Sequence, residues 1–410
     1  MIGTEAPFLA GACPLCLTHG CPFPTAKGGT LDDAMAASAP PDLHLETRCI
    51  NVIRGLAIDA VQKANSGHPG MPMGAAPMAH ALWTRHLRHN PRNPKWFNRD
   101  RFILSAGHGS MLLYALLHLT GYDLSLNDLK QFRQFGSRTP GHPENVATPG
   151  VEMATGPLGQ GISTAVGMAI AEAHLAAVFN RPDFPIVDHY TYGICSDGDL
   201  MEGIAQEACS LAGHLRLGKL IFLYDDNNIT IDGRTDLAYT EDVTKKFEAI
   251  GWQVLACDGM DIEAVDRCLN EAKANPEQPT LIRAKTIIGF GSPNRADTSK
   301  AHGEPLGADE VQLTKQSLGL PEEEFYTPDD AVSFYRAAIT DGGVAESSWI
   351  DLFGRYAQAF PDEASRLQKA LAGDVSEAAS ALPTLSDKVA TRAASGVMVN
   401  AVGPHLTGFL

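Results

Sequence analysis

Apolar positions between residues 43 and 310 follow two alternating rhythms. From Cys49 to Ala64 they recur at helical spacing (Ile50, Ile53, Ala57, Ala60, Val61, Ala64), and Ser66-Gly67-His68-Pro69-Gly70 then stops the helix and leaves His68 in a loop. A short strand, Phe102 to Leu104, leads through Ser105-Ala106-Gly107-His108-Gly109-Ser110 into a Leu-rich helix from Met111 to Leu119, with Gly121 past its end. The same succession returns with strands at 190–195, 219–224, 252–257 and 280–284 and helices near 203–212, 240–250 and 262–274. Strands and helices alternating at this spacing predict right-handed crossovers and a parallel sheet with helices on both faces, an α/β fold.

The flanks read differently. Residues 1–42 hold six prolines, a Gly28-Gly29 pair and no sustained periodicity, so they read as a disordered extension. After about Gly307 the strands stop, and acidic, helix-prone sequence punctuated by Pro321, Pro328 and Pro361 reads as a helical linker arm over 311–387. An amphipathic helix from Ser386 to Ala401 then reads as the truncated start of a further domain over 388–410. There is no internal repeat.

Composition narrows the partners. With 44% hydrophobic and 20% charged positions in 410 residues, the chain is globular with a sizeable core. Lys and Arg total 32 against 48 for Asp and Glu, a formal charge of −16, which argues against nucleic acid. No stretch is read as the roughly 18 to 20 apolar residues that a bilayer demands, so no membrane partner is expected. Phe8 to Leu17 is mildly apolar, but Glu5 and no Lys or Arg precedes it, so a secretory signal is not expected and the cytoplasm is the default. Of eight cysteines, Cys49, Cys195, Cys209, Cys257 and Cys268 sit singly in apolar segments and read as reduced core residues. Cys13, Cys16 and Cys21, with His19 among them, lack the second pair that a zinc ribbon needs. His44, His80, His86, His89, His118, His174, His189, His214 and His405 read as ordinary polar surface residues.

The sharpest constellation is Ser196-Asp197-Gly198-Asp199 after one buried strand and Asp225-Asp226-Asn227-Asn228 after the next. In a parallel sheet ligands bind outside the carboxyl ends of the strands, so adjacent strands deliver Asp197 and Asn227 to one crevice. Either word alone reads as a solvated turn. Together they offer a carboxylate and an amide oxygen, hard ligands of the kind Mg2+ uses. Gly198 leaves room for a phosphate to approach, with the N-terminus of the following helix aimed at it.

These words and their neighbours resemble the transketolase family. The matching words are Ser66-Gly67-His68-Pro69-Gly70, Gly107-His108-Gly109-Ser110, Thr139-Pro140-Gly141-His142-Pro143-Glu144, Thr155-Gly156-Pro157-Leu158-Gly159-Gln160-Gly161, Met201-Glu202-Gly203 and Lys285-Thr286-Ile287-Ile288-Gly289. The resemblance covers about Leu45 to Leu410, with one departure: Ser196 stands where the family usually has a glycine, which slightly crowds the turn.

The resemblance implies a thiamine diphosphate and Mg2+ domain over 43–310, with Ca2+ or Mn2+ as alternative metals. It implies that Asp197, Asn227 and the backbone carbonyl of Ile229 hold the metal. Gly156, Gly198 and His108 would meet the diphosphate, Leu158 the cofactor's rings, and Asn227 and His302 the cofactor as well. Glu202 and Glu207 would be paired acids linking the two sites of a homodimer. His68, His108, His142 and His302 would act at the reacting carbon. His68, His142 and His302 would face the sugar, and Arg392 its phosphate. Proton transfers near neutral pH suit imidazole, and each of the four histidines lies in a Gly or Pro turn.

The implied activity is transfer of a two-carbon ketol unit from a ketose phosphate to an aldose phosphate. The family's second domain supplies a glutamate and an aromatic pocket, and this chain is expected to be inactive without them. Alternatives are one subunit of a split enzyme, a dihydroxyacetone synthase or deoxyxylulose phosphate synthase relative, and a silent cofactor-binding module.

Overall fold

The structure is a computed structural model that describes residues 43–385 and 388–408. The Pro-rich extension, the Cys13–Cys21 group and the apolar stretch at 8–17 lie outside the described residues. Five parallel strands form the sheet: β1 (Arg101–Leu104), β2 (Thr191–Ser196), β3 (Leu220–Asp226), β6 (Gln253–Asp258) and β7 (Thr280–Lys285). Between β3 and β6 the chain makes a small antiparallel hairpin, β4 (Ile229–Thr230) and β5 (Gly233–Arg234). Each expected strand is found within two residues of its expected ends.

The sheet order is β1-β2-β3-β7-β6. The chain therefore reaches the edge before returning to fill the gap beside β3. Burial explains the order: β3 is buried along its whole length, whereas β6 carries partly exposed residues throughout, as an edge strand does.

Period-two alternation divides the core. Phe102, Leu104, Tyr192, Ile194, Ile221, Leu223, Ile282 and Ala284 face one layer, containing the helices Leu43–Ala64, Gly70–Arg85, Ser110–Thr120 and Ile262–Lys273. Ile103, Cys195, Phe222, Tyr224 and Leu281 face the other, containing Gln160–Phe179, Gly203–His214 and Val243–Ala249. Gly193 is forced by this packing, since a Cβ there would stand 2.2 Å from the Phe222 ring. Later residues join the first layer: Phe325, in the turn before the helix Asp329–Ala359, and Ala331 and Tyr335 on that helix enter the same cluster.

Three readings need correction. The helix Gly70–Arg85 was not foreseen because 14 of its 16 residues are buried and Pro72 and Pro77 interrupt it, leaving no polar face to mark a period. The helix Gln160–Phe179 was also missed, and by length and composition alone it is long and apolar enough to cross a membrane. Here Ile162, Ala165, Val166 and Ala169 pack its inner side onto the sheet. Finally, His80, His89 and His189 are buried rather than at the surface, each with a polar partner: Tyr335 Oη at 2.8 Å, Tyr122 Oη at 2.9 Å and Asn98 Oδ1 at 3.2 Å.

Candidate active site

Three strand ends converge at the carboxyl edge of the sheet. The register pairs Ser196 of β2 with Asp225 of β3, which sets the two acidic words side by side. After β1 the chain enters the tight turn Gly107–Gly109, where Gly107 admits no side chain because a Cβ would lie 1.8 Å from the Thr155 carbonyl oxygen. After β2, Asp197 itself opens the five-residue helix Asp197–Met201. Ser196 is extended (φ −125°, ψ 175°), so its side chain does not strain the turn and instead caps the helix.

Asp199 ties these segments together. Its Oδ1 accepts from Ser105 Oγ at 2.7 Å and the Gly159 N–H at 2.9 Å, and its Oδ2 from the Ser196 N–H at 3.0 Å and Ser196 Oγ at 3.2 Å. Sequence reading gave this residue no role. The contacts of the second aspartate in a turn-like word depend on the fold, and nothing in the word itself predicts them.

A cavity of about 600 Å3 opens at this edge, lined by His68, His108, His142 and His302 together with Asp197, Asn227 and Ile229. Gly156, Leu158 and Gly198 also line it. Asp197 is 3% exposed, and its Oδ1 accepts from the Tyr224 hydroxyl while its Oδ2 is buried without a partner. Burial pushes its pKa up to about 6, with a further push from the Asp226 charge and against the lowering effects of Tyr224, of the Asn228 N–H, which lies outside hydrogen-bond geometry, and of the Lys285 charge. Asn227 donates from Nδ2 to Asp225 Oδ2 at 2.9 Å and accepts the Ile229 N–H on Oδ1 at 2.9 Å. Asn228 adopts the left-handed conformation (φ 61°) that turns the chain back into the hairpin.

Gly156 faces open space, as a phosphate-facing position would. Gly198 differs from expectation: a Cβ there would meet Leu158 Cδ1 at 3.0 Å, so this glycine seats Leu158.

The histidines form one cluster. Ring centroids lie 5.2 Å apart for His68 and His108, 5.6 Å for His68 and His302, 6.5 Å for His68 and His142, and 5.1 Å for the stacked His108 and His302. Burial holds all four below the ordinary imidazole pKa; His68 falls to about 4, helped by the neighbouring His302, Arg133 and His142. At neutral pH the cluster is uncharged and can donate and accept hydrogen bonds.

The remaining expected residues lie further out. Glu202 lines the cavity but is exposed; Glu207 is exposed on Gly203–His214 and does not line it. Arg392 is not brought to the cavity, since it stands exposed on the helix Thr391–Val402, which buries no residue. Among the described residues no group of three or more His, Cys, Asp or Glu side chains is placed to hold a metal. One carboxylate with an amide and a backbone carbonyl would not form such a group.

Residues 45–376 match the family described as transketolase, thiamine diphosphate binding domain. The chain belongs to the transketolase family. It is 55% identical over 373 residues to the transketolase of Geobacillus stearothermophilus, covering 89% of this chain and 56% of the relative. To that of a Nostoc species it is 58% identical over 336 residues, covering 81% and 50%. Among solved structures, a Pichia stipitis transketolase in complex with sedoheptulose-7-phosphate superposes with a TM-score of 0.86 at 47% identity, covering 88% of this chain and 54% of that one. The Leishmania mexicana transketolase gives 0.84 at 48%, covering 87% and 55%. The chain thus spans about half the length of the transketolases it matches. Every site residue above except Arg392 falls inside the matched family segment.

Proposed function

We propose that this chain supplies the diphosphate and metal half of a transketolase site, for transfer of a two-carbon ketol unit from a ketose phosphate to an aldose phosphate. One observation carries the reading: among the described residues, Asp197 Oδ2 is the only carboxylate oxygen that is both buried and without a partner, and Asp197 lines the cavity on which the four histidines converge. A buried, unpaired carboxylate is costly unless a cation meets it. Asp197, the Asn227 amide oxygen and the Ile229 carbonyl are hard donors that suit Mg2+, or Ca2+ or Mn2+ in its place.

Thiamine diphosphate, when bound, supplies the carbon nucleophile that the side chains of this chain lack. His108 and Gly156 would receive its diphosphate, and Leu158, seated by Gly198, would pack on its rings. His68, His142 and His302, uncharged in this setting, would hold the sugar hydroxyls, and His142 and His302 would pass protons between them. Glu202 and Glu207, both exposed, would act at the interface of a homodimer. Cytoplasmic placement is supported by five free cysteines among the described residues.

The test is calorimetric titration of thiamine diphosphate with and without Mg2+. Binding is expected to need the metal and to weaken by more than about 100-fold in Asp197→Ala, since even outer-shell partners of a metal are worth about 10- to 100-fold. Unchanged affinity in that variant would remove the metal assignment.

A further inference from the structure

Arg133, which carried no part in the sequence reading, stands behind the histidine cluster. Its backbone is left-handed (φ 60°) and its N–H donates to the Thr139 carbonyl at 3.0 Å. Its guanidinium Nη1 donates to Ser66 Oγ at 2.8 Å, and Nη2 lies 3.5 Å from His68 Nδ1. Guanidinium is a permanent cation that only donates, so the ring nitrogen facing it must present a lone pair. A proton on Nδ1 would set N–H against N–H in a half-buried site. The opposite edge of the ring faces the His302-Gly303 turn, where a Cβ on Gly303 would lie 3.3 Å from both Nε2 and Cδ2.

We infer that Arg133 is a positioning residue which fixes neutral His68 as the Nε2–H tautomer, so that His68 meets a ligand oxygen in the cavity as a hydrogen-bond donor and not as a base. The groups facing His68 are Arg133 on one side and His108, His142 and His302 on the other, and no carboxylate is among them to draw the proton to Nδ1. Among the described residues no cation hydrogen-bonds a nitrogen of the other three rings, although the Arg133 charge also bears on His142. Within the cluster the direction of one donor is therefore set from outside it. That direction sorts ligands: a hydroxyl or carbonyl oxygen at His68 is accepted, and a bare cation or a donor-only group is refused.

The inference deepens the proposed transfer reaction but is read without substrate, so it stands or falls separately from cofactor binding. The probe is long-range proton–nitrogen NMR on the protein labelled with 15N-histidine at neutral pH, with His68 assigned by its absence in His68→Gln. The unsubstituted protein should show His68 with its proton on Nε2. Arg133→Met should lose that preference and give a mixture or the Nδ1–H form, while Arg133→Lys, which keeps a donor-only cation, should retain it. Finding Nδ1–H in the unsubstituted protein would overturn the inference without recourse to any Arg133 variant. An unchanged tautomer in folded Arg133→Met would overturn it equally.

Discussion

Replacing Asp199 by Ala should be among the most damaging single changes near the cavity, although the residue does not line it. Asp199 is fully buried and receives hydrogen bonds from the ends of β1 and β2 and from the Gly159 loop. Its loss leaves the Gly159 and Ser196 N–H groups and the Ser105 hydroxyl without an acceptor, at about 1–3 kcal/mol for each buried orphan. Burial raises the pKa of Asp199 despite its donors, so removing the charge returns part of that cost. A net destabilisation of about 3–6 kcal/mol is expected, a large share of the roughly 5–15 kcal/mol available to a folded domain. Urea unfolding followed by circular dichroism measures it. Asp199→Asn should fall between, because an amide keeps one acceptor but turns a donor toward Ser196. If Asp199→Ala unfolds within about 1 kcal/mol of the unsubstituted protein, the four-bond account of this corner is wrong.

Gly107→Ala should cost at least the roughly 1–3 kcal/mol of an overpacked core, because the Thr155 carbonyl at 1.8 Å is backbone and cannot swing aside; a thermal midpoint equal to that of the parent would show that the loop yields. Acid should also destabilise the fold through His89, whose pKa burial holds at about 4. A histidine depressed in the folded state contributes stability that is fully present above its unfolded pKa of about 6.5 and is lost as pH falls toward 4, here about 3 kcal/mol in all. His89→Gln should lose correspondingly less stability between roughly pH 7 and about pH 4.5, and equal losses in the two proteins would assign the acid sensitivity elsewhere.

The sheet was legible because its strands are short apolar runs bounded by glycine and acidic turns, a pattern that survives without tertiary knowledge. Its order was not. The insertion of β7 between β3 and β6 follows from which strand can bear exposure, and the apolar runs in 253–258 and 280–285 look alike until burial is known. The four histidines were legible as turn residues, and the fold brings all four together. Arg133 was invisible because its neighbours Ser66 and His68 lie more than 60 positions earlier. The buried His80 and His89 were misread because an isolated histidine carries no sign of the tyrosine that will face it.

The same limit explains why the acidic words could be located but not apportioned. Sequence offers Asp197, Asp199, Asp225 and Asp226 as equals at two strand ends; partners separate them. Asp226 is neutralised by Arg283 at 2.8 Å and Lys285 at 3.5 Å. Asp225 accepts from the Thr286 hydroxyl and from Asn227 Nδ2, so its work is to hold the Asn227 amide. Asp199 is saturated by four donors. Only Asp197 keeps a buried oxygen with no partner, and no side-chain cation pairs with it within ion-pair distance among the described residues. Four carboxyl groups in one corner would repel without division of labour. Two are consumed in fastening the strand ends and one in its own ion pairs, which leaves the charge of the fourth uncompensated at the cavity wall, where a divalent cation is the group that would satisfy it.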